Sequence, residues 1–244
     1  MRYPSMILFD YGHTLIYEKE EGTLCGTRAL MPYIRKNPNN YTAEQIVSHA
    51  NRFYDAAGAP IRSAGLDYHN LIYQHLLYAY LEIEFSCTPE EVETIFWDNA
   101  YPGEPMPGAR ELIRFLNNSG IRTGVISNMA FSSKSLRARL DRMLPENQFE
   151  FIITSSEYLF RKPNKILFEL ALRKARLSAS DVWFCGDNVE ADILGAAEAG
   201  IYPVWYESSL ACPYRKQGQH LPNDCDCLHI CDWAELTALL QRLP

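Results

Sequence analysis

Hydrophobic and polar positions follow two regimes along the chain. Met6-Ile7-Leu8-Phe9 puts four apolar residues in a row, the pattern of a strand buried on both faces of a parallel sheet. From position 106 onward, similar short runs recur at Ile121–Ile126, Phe149–Ile153, Val182–Cys185 and Ile201–Val204. Segments of helical period separate them, at Ala109–Asn117, Ser132–Asp141, Lys165–Arg176 and Val189–Ala199. A short strand at Cys227–Ile230 and a helix over Asp232–Leu243 close the chain. This alternation predicts βαβ units and a parallel sheet, which the first strand must join because it has no other partner.

Residues 16–105 read as helical throughout. Thr42 and Gln45 have capping-box spacing at the start of a helix expected to end near Gly58-Ala59-Pro60. A second helix is expected from Asp67 to Glu84. A third opens at Thr88, with Pro89 at its first helical position and Glu91 closing the box. Three prolines and two glycines between Tyr101 and Gly108 mark a hinge. The expected organisation is an α/β core formed by residues 1–15 and 106–244, with an all-helical insertion over residues 16–105.

In such a sheet ligands gather outside the carboxyl ends of the strands. The polar groups that fall there or in the neighbouring connections are Asp10, Ser127-Asn128, Lys162, and Asp187 with Asp192. Asp10 can act as a nucleophile. Asp187 beside it would repel it unless a cation intervenes. Mg²⁺ meets that need with oxygen ligands, and the Gly12 carbonyl lies within reach of the same ion. Lys162 adds a fixed positive charge, and Ser127 and Asn128 add neutral donors. Asp10, Asp187 and Asp192 then balance Mg²⁺ plus Lys162. The chemistry that suits this set is phosphoryl transfer to Asp10 followed by hydrolysis of the aspartyl phosphate.

Composition narrows the partners. The 244 residues carry a formal net charge of −7, which argues against nucleic acid and against an anionic membrane surface. With 47% hydrophobic residues the chain can build a sizeable core. No run reaches membrane-spanning length, and Met1-Arg2-Tyr3-Pro4 leads into the first strand without a signal-peptide pattern. Seven cysteines, an odd number spread along the chain, suggest reduced thiols and a cytoplasmic location. The expected partner is a small phosphorylated metabolite, bound by a monomer or homodimer.

Four motifs stand in order: Ile7-Leu8-Phe9-Asp10 with Thr14-Leu15; Val125-Ile126-Ser127-Asn128; Lys162-Pro163 followed by Ile166-Leu167-Phe168; and Gly186-Asp187-Asn188 with Asp192. Together they resemble the motifs of haloacid dehalogenase-like superfamily hydrolases with an α-helical cap of the first type. The resemblance covers nearly the whole chain. It implies a Rossmann-like core, Mg²⁺ and, most often, phosphatase activity. It also implies Asp10 as nucleophile and metal ligand, Asp187 and the Gly12 carbonyl as further ligands, and Asp192 as a support of the metal site. Ser127 and Asn128 would bind the phosphate, and Lys162 would hold both nucleophile and phosphate.

One departure matters. Phosphatases of this superfamily usually carry a second aspartate two residues after the nucleophile, as acid and base. Here that position is Gly12. Three readings follow: a replacement acid, either His13 or one of His49, His69 and His75 from the insertion; a substrate whose leaving group needs no proton, such as an acyl phosphate or phosphoanhydride; or a protein that binds a phosphorylated ligand with little turnover. Two branches of the superfamily also lack that aspartate. Dehalogenases work without metal and generally lack a Gly186-Asp187 pair. Phosphonate hydrolases use a cap lysine, for which Lys19 and Lys36 are the candidates here, Lys36 reading as solvated.

Two features stay outside this chemistry. Cys225, Cys227, His229 and Cys231 alternate, with Cys212 upstream. On a strand, alternate residues lie about 7 Å apart, too far to converge on one ion, so they read as packing. Lys134, Arg137, Arg139 and Arg142 read as the solvated face of a helix.

Overall fold

The computed structural model describes residues 2–210, 219–222 and 225–243. The strands are β1 (Met6–Phe9), β2 (Ile16–Glu18), β3 (Ile34–Lys36), β4 (Glu84–Phe85), β5 (Gly103–Pro105), β6 (Arg122–Ser127), β7 (Phe149–Thr154), β8 (Val182–Gly186), β9 (Tyr202–Tyr206) and β10 (Leu228–Ile230). Six of them form one parallel sheet in the order β10-β9-β8-β1-β6-β7. β1 therefore sits between β6 and β8, and its four residues are fully buried.

The unbroken apolar run has a simple cause. Successive side chains point to opposite faces of a strand, and both faces are covered. Ile7 and Phe9 belong to a cluster with Leu112, Leu116 and Trp233. Met6 and Leu8 belong to another with Leu167, Phe168 and Phe184.

The insertion is mainly helical, at Thr23–Leu30, Ala43–Phe53, Asn70–Tyr80 and Pro89–Ala100. Both expected capping boxes form, at Thr42–Gln45 and Thr88–Glu91. The first boxed helix does not stop at Pro60. It continues through a widened turn, Tyr54–Gly58, into Ala59–Ser63, where Pro60 sits in the first turn of the restarted helix and its missing N–H is harmless. The next helix begins at Asn70 rather than Asp67, because the His69 ring accepts the Leu71 N–H at 3.2 Å and caps it. The insertion also carries two short antiparallel ribbons, β2–β5 and β3–β4. Their strands are too short for alternation to register. The β2–β5 ribbon pairs Ile16 with Pro105 and Glu18 with Gly103, where the chain leaves the core and returns. No helix among the described residues is long and apolar enough to cross a membrane.

The basic helix, Ser133–Met143, corrects one expectation. Lys134 and Arg142 are exposed, but Arg139 is 1% exposed. Its guanidinium pairs with Glu18 at 3.2 Å and Asp98 at 2.5 Å, and donates to the Tyr11 hydroxyl at 2.8 Å and to the Tyr101 carbonyl. It also lies 4.6 Å above the Trp97 ring. Arg139 lies one turn beyond the buried Leu136 on the same helix face. The ribbon and the helix Pro89–Ala100 bring the acids that meet it. Burial pushes the Glu18 carboxyl upward, and the Arg139 cation opposes that shift.

Candidate active site

Three adjacent parallel strands, β8, β1 and β6, end side by side and place Asp187, Asp10 and Ser127 at one edge. Asp10 still takes part in the ladder, donating its N–H to the Cys185 carbonyl at 2.9 Å. Lys162 arrives from the connection after β7. Its Nζ lies 2.6 Å from Asp10 Oδ1 and 2.6 Å from Asp192 Oδ1, and donates to the Ile126 carbonyl at 2.9 Å. Asp10 Oδ1 and the Ile126 carbonyl accept hydrogen bonds from this ammonium, and Asp192 Oδ1 meets it as an ion pair. Burial works against the Lys162 charge, but Asp10 and Asp192 outweigh it and hold its pKa above the ordinary lysine value.

Asn128 holds this lysine in place. Its side-chain Nδ2 donates to the Lys162 carbonyl at 2.9 Å, and its Oδ1 accepts the Lys162 N–H at 2.7 Å. The Asn128 side chain therefore positions Lys162, and the residue also lines the cavity. Ser127 is buried at the end of β6 and lines the cavity.

Asp192 projects from a widened helical turn, Val189–Leu194, and its second oxygen accepts the Asn188 N–H at 3.0 Å. Burial raises its pKa, against the pull of Lys162. A Cβ on Gly186 would lie 2.4 Å from this carboxylate, so only glycine lets the β8 end approach it. Oxygens of Asp10, Asp187 and Asp192 come within 4.8 Å of one another. A hard divalent cation such as Mg²⁺ fits this set of oxygen donors. Gln219, which the motif reading missed, braces this loop. It donates to the Asp187 carbonyl at 3.2 Å and accepts the Val189 N–H at 2.7 Å.

Gly12 sits outside the left-handed region of backbone space. A Cβ added there would meet nothing within 4 Å. Neither conformation nor crowding demands glycine, so the place of the usual aspartate is open. His13 adopts φ 54° and is buried, its ring edge-on to Tyr17 at 5.4 Å. It lines the cavity, whereas His49, His69 and His75 do not. Lys19 and Lys36 pair with Glu104 and Glu84 on the surface, away from the cavity. Cys225 and Cys227 pack beside Trp205, and His229 stacks on the same ring at 4.2 Å. Cys212 lies outside the described residues.

The strand ends open into a cavity of about 690 Å³ that reaches into the insertion. Its near wall carries Asp10, Lys162 and Asp187, and its far wall carries aromatic and amide side chains of the insertion.

A family model of haloacid dehalogenase-like hydrolases matches residues 7–200. The chain belongs to this hydrolase family. The match starts in β1 and takes in the insertion and all four motifs. This haloacid dehalogenase-like hydrolase is 26% identical to the glyceraldehyde 3-phosphate phosphatase of Pyrococcus furiosus, an alignment covering 100% of this chain and 94% of that protein. It is 35% identical over 102 residues to the pyrimidine 5'-nucleotidase YjjG of Escherichia coli, covering 41% of this chain. The match spans 44% of that nucleotidase's length, and 43% of the length of the ribulose-1,5-bisphosphate 5-phosphatase of Halopiger xanaduensis. Among solved structures, the 2-haloacid dehalogenase of Pseudomonas syringae pv. Tomato DC3000 aligns with a TM-score of 0.62 at 19% identity, covering 98% of this chain and 99% of that one. At that identity the likeness establishes the shared fold.

Proposed function

We propose that this hydrolase is a Mg²⁺-dependent phosphatase of small phosphorylated metabolites that works through an aspartyl phosphate on Asp10. The observation that carries the reading is the charge arrangement at the sheet edge, where Lys162 bridges Asp10 and Asp192 at 2.6 Å each with Asp187 alongside. The phosphatase names of its relatives support the same reading.

In this mechanism an Asp10 oxygen attacks phosphorus and the leaving oxygen departs on the opposite side. Water then hydrolyses the aspartyl phosphate and restores Asp10. Lys162 fixes the Asp10 rotamer and offsets the negative charge gathered at the edge, and Ser127 donates to a phosphoryl oxygen. Mg²⁺ held by Asp10, Asp187 and the Gly12 carbonyl, with Asp192 beside them, would supply charge neutralisation for the transferring phosphoryl group. No side chain at position 12 is available to protonate the leaving oxygen, so rates should follow leaving-group quality.

The test is phosphate release from a panel of phosphorylated metabolites, with acetyl phosphate and p-nitrophenyl phosphate beside it. Release that requires Mg²⁺ and is abolished by Asp10→Asn supports the reading. Release that survives Asp10→Asn, or none from any compound, overturns it. The open position at Gly12 favours one second reading, a phospho-ligand-binding protein with little turnover. Ligand stabilisation without any phosphate release would select it.

A further inference from the structure

The cavity is larger and more aromatic than the catalytic edge requires. Its volume of about 690 Å³ falls in the range of about 300–1,000 Å³ that buries a ligand of twenty or more heavy atoms. A three-carbon phosphate would leave most of it to water. Tyr54, Tyr68, Tyr73 and Tyr78 line its far wall. The rings of Tyr54 and Tyr68 lie 6.4 Å apart at 68° to one another, and those of Tyr68 and Tyr73 5.4 Å apart at 40°, an angled aromatic wall with the Arg62 guanidinium 5.8 and 5.2 Å from the Tyr54 and Tyr68 ring centres. A planar heterocycle can stack on one ring of such a wall, since every base offers a π face.

Gln74 adds hydrogen-bonding demand. It is 7% exposed, lines the same cavity, and its Oε1 is buried with no hydrogen-bond partner. A buried acceptor left unmet is costly, and a base amino group or a ribose hydroxyl would satisfy it. Asn51 offers a second amide on the same lining.

The same chamber carries surplus positive charge beside its aromatic wall. The Asp67 side chain is fully buried and pairs with both Arg62, at 3.3 Å, and Arg161. Two guanidinium groups thus share one carboxylate. Both line the cavity, and Arg161 directly precedes Lys162. A second anionic group on the substrate would meet that excess. The open position at Gly12 points the same way, because a phosphoanhydride expels a phosphate oxygen that needs no general acid.

We infer that the substrate is a nucleoside diphosphate. This rests on the phosphatase reading above and gives its site a substrate class. The terminal phosphate meets Asp10, the inner phosphate faces Arg62 and Arg161, and the nucleoside occupies the aromatic chamber against Gln74. An Asp10 oxygen bonds to the terminal phosphorus as the bridging P–O bond breaks. The bridging oxygen leaves with the electron pair as part of the nucleoside monophosphate. Water then attacks the same phosphorus, the P–O bond to Asp10 breaks, and the carboxylate is regenerated. One water proton stays on the inorganic phosphate and the other passes to solvent.

The test compares kcat/KM of the Mg²⁺-loaded wild-type protein for UDP and ADP, their monophosphates, pyrophosphate, glyceraldehyde 3-phosphate and acetyl phosphate. The diphosphates should exceed the monophosphates by about 10²-fold or more, the scale of general-acid assistance they do without. They should also exceed pyrophosphate, which has the anhydride but no nucleoside. Arg62→Gln and Gln74→Leu should each lower the ratio of UDP to acetyl phosphate kcat/KM by about tenfold. Cleavage of acetyl phosphate, with pyrophosphate or glyceraldehyde 3-phosphate equalling the diphosphates, overturns the inference and leaves the phosphatase reading intact. If no compound releases phosphate, that reading fails, and calorimetric titration of UDP into the wild-type protein decides the chamber. Binding weakened by Gln74→Leu supports it, and no binding overturns it.

Discussion

Restoring the absent acid is the sharpest perturbation this site offers. Gly12→Asp adds a carboxyl where a Cβ meets nothing within 4 Å and where the backbone is not left-handed, so the variant should fold with little change in stability. General acid–base assistance is worth about 10²–10⁴-fold, or about 3–5 kcal/mol of barrier. The new carboxyl joins Asp10, Asp187 and Asp192, whose oxygens already cluster within 4.8 Å. At about 5 Å and an effective dielectric of about 20, each further negative charge costs about 3 kcal/mol before Lys162 and a metal offset it. That repulsion favours the protonated form, which an acid needs, but works against the ionised form that must later activate water. The lower end of the range is therefore expected: about a 10²-fold rise in kcat for an alkyl phosphate such as glycerol phosphate. Acetyl phosphate, whose leaving group needs no proton, should change little. The assay is steady-state phosphate release by wild type and variant on both compounds with saturating Mg²⁺. A folded Gly12→Asp protein with unchanged alkyl phosphate turnover would refute the reasoning, because some other group would already donate the proton.

Removing the bridging cation should be severe. Lys162→Met leaves Asp10 and Asp192 facing each other without the ammonium now 2.6 Å from each, and in metal-free buffer urea unfolding should show a loss of about 3–5 kcal/mol. Arg139→Met strands the buried Glu18 carboxylate and should cost a similar amount, about 3–5 kcal/mol; a loss under about 1 kcal/mol would mean that Glu18 is satisfied by its other donors, Tyr11 and Trp97. Mg²⁺ at about 100 times its Kd should stabilise the protein by about 2.7 kcal/mol, read as a rise in Tm that EDTA reverses and Asp187→Asn removes. Gly186→Ala forces a methyl to 2.4 Å from the Asp192 carboxylate, and should lower Mg²⁺ affinity in the same melting assay while Gly12→Ala, in open space, leaves the Tm of the metal-free protein nearly unchanged.

The parts of the fold that could be read from the chain are those where local pattern and tertiary position share one cause. β1 showed as an unbroken apolar run because both of its faces are covered. Thr42 and Thr88 announced helix starts because a capping box is a contact within four residues. The gathering of Asp10, Ser127 and Asp187 at one edge was legible because strand ends in a parallel sheet converge whatever the rest does. What stayed hidden depends on partners far away in the chain. Arg139 is buried by Glu18, 121 positions earlier; its only local sign was a place one turn beyond Leu136 on one helix face. That Asn128 holds Lys162, 34 positions later, with both amide atoms had no sign in either stretch. Gln74 and Asp67 carried no motif, since the far wall of the cavity exists only once the insertion folds over the sheet.

The ribbon of β2 and β5 has a consequence for how such proteins diversify. Ile16 pairs with Pro105 and Glu18 with Gly103, so the segment between them begins and ends at neighbouring points, about 5 Å apart across the ladder. To the core, the intervening residues amount to one short hairpin turn, whatever their number or content. The segment can lengthen, shrink or be exchanged as a cassette while Asp10, Lys162 and Asp187 keep their registers. Grafting a foreign segment at the same two strands should transplant the choice of substrate and leave the phosphate chemistry where it is.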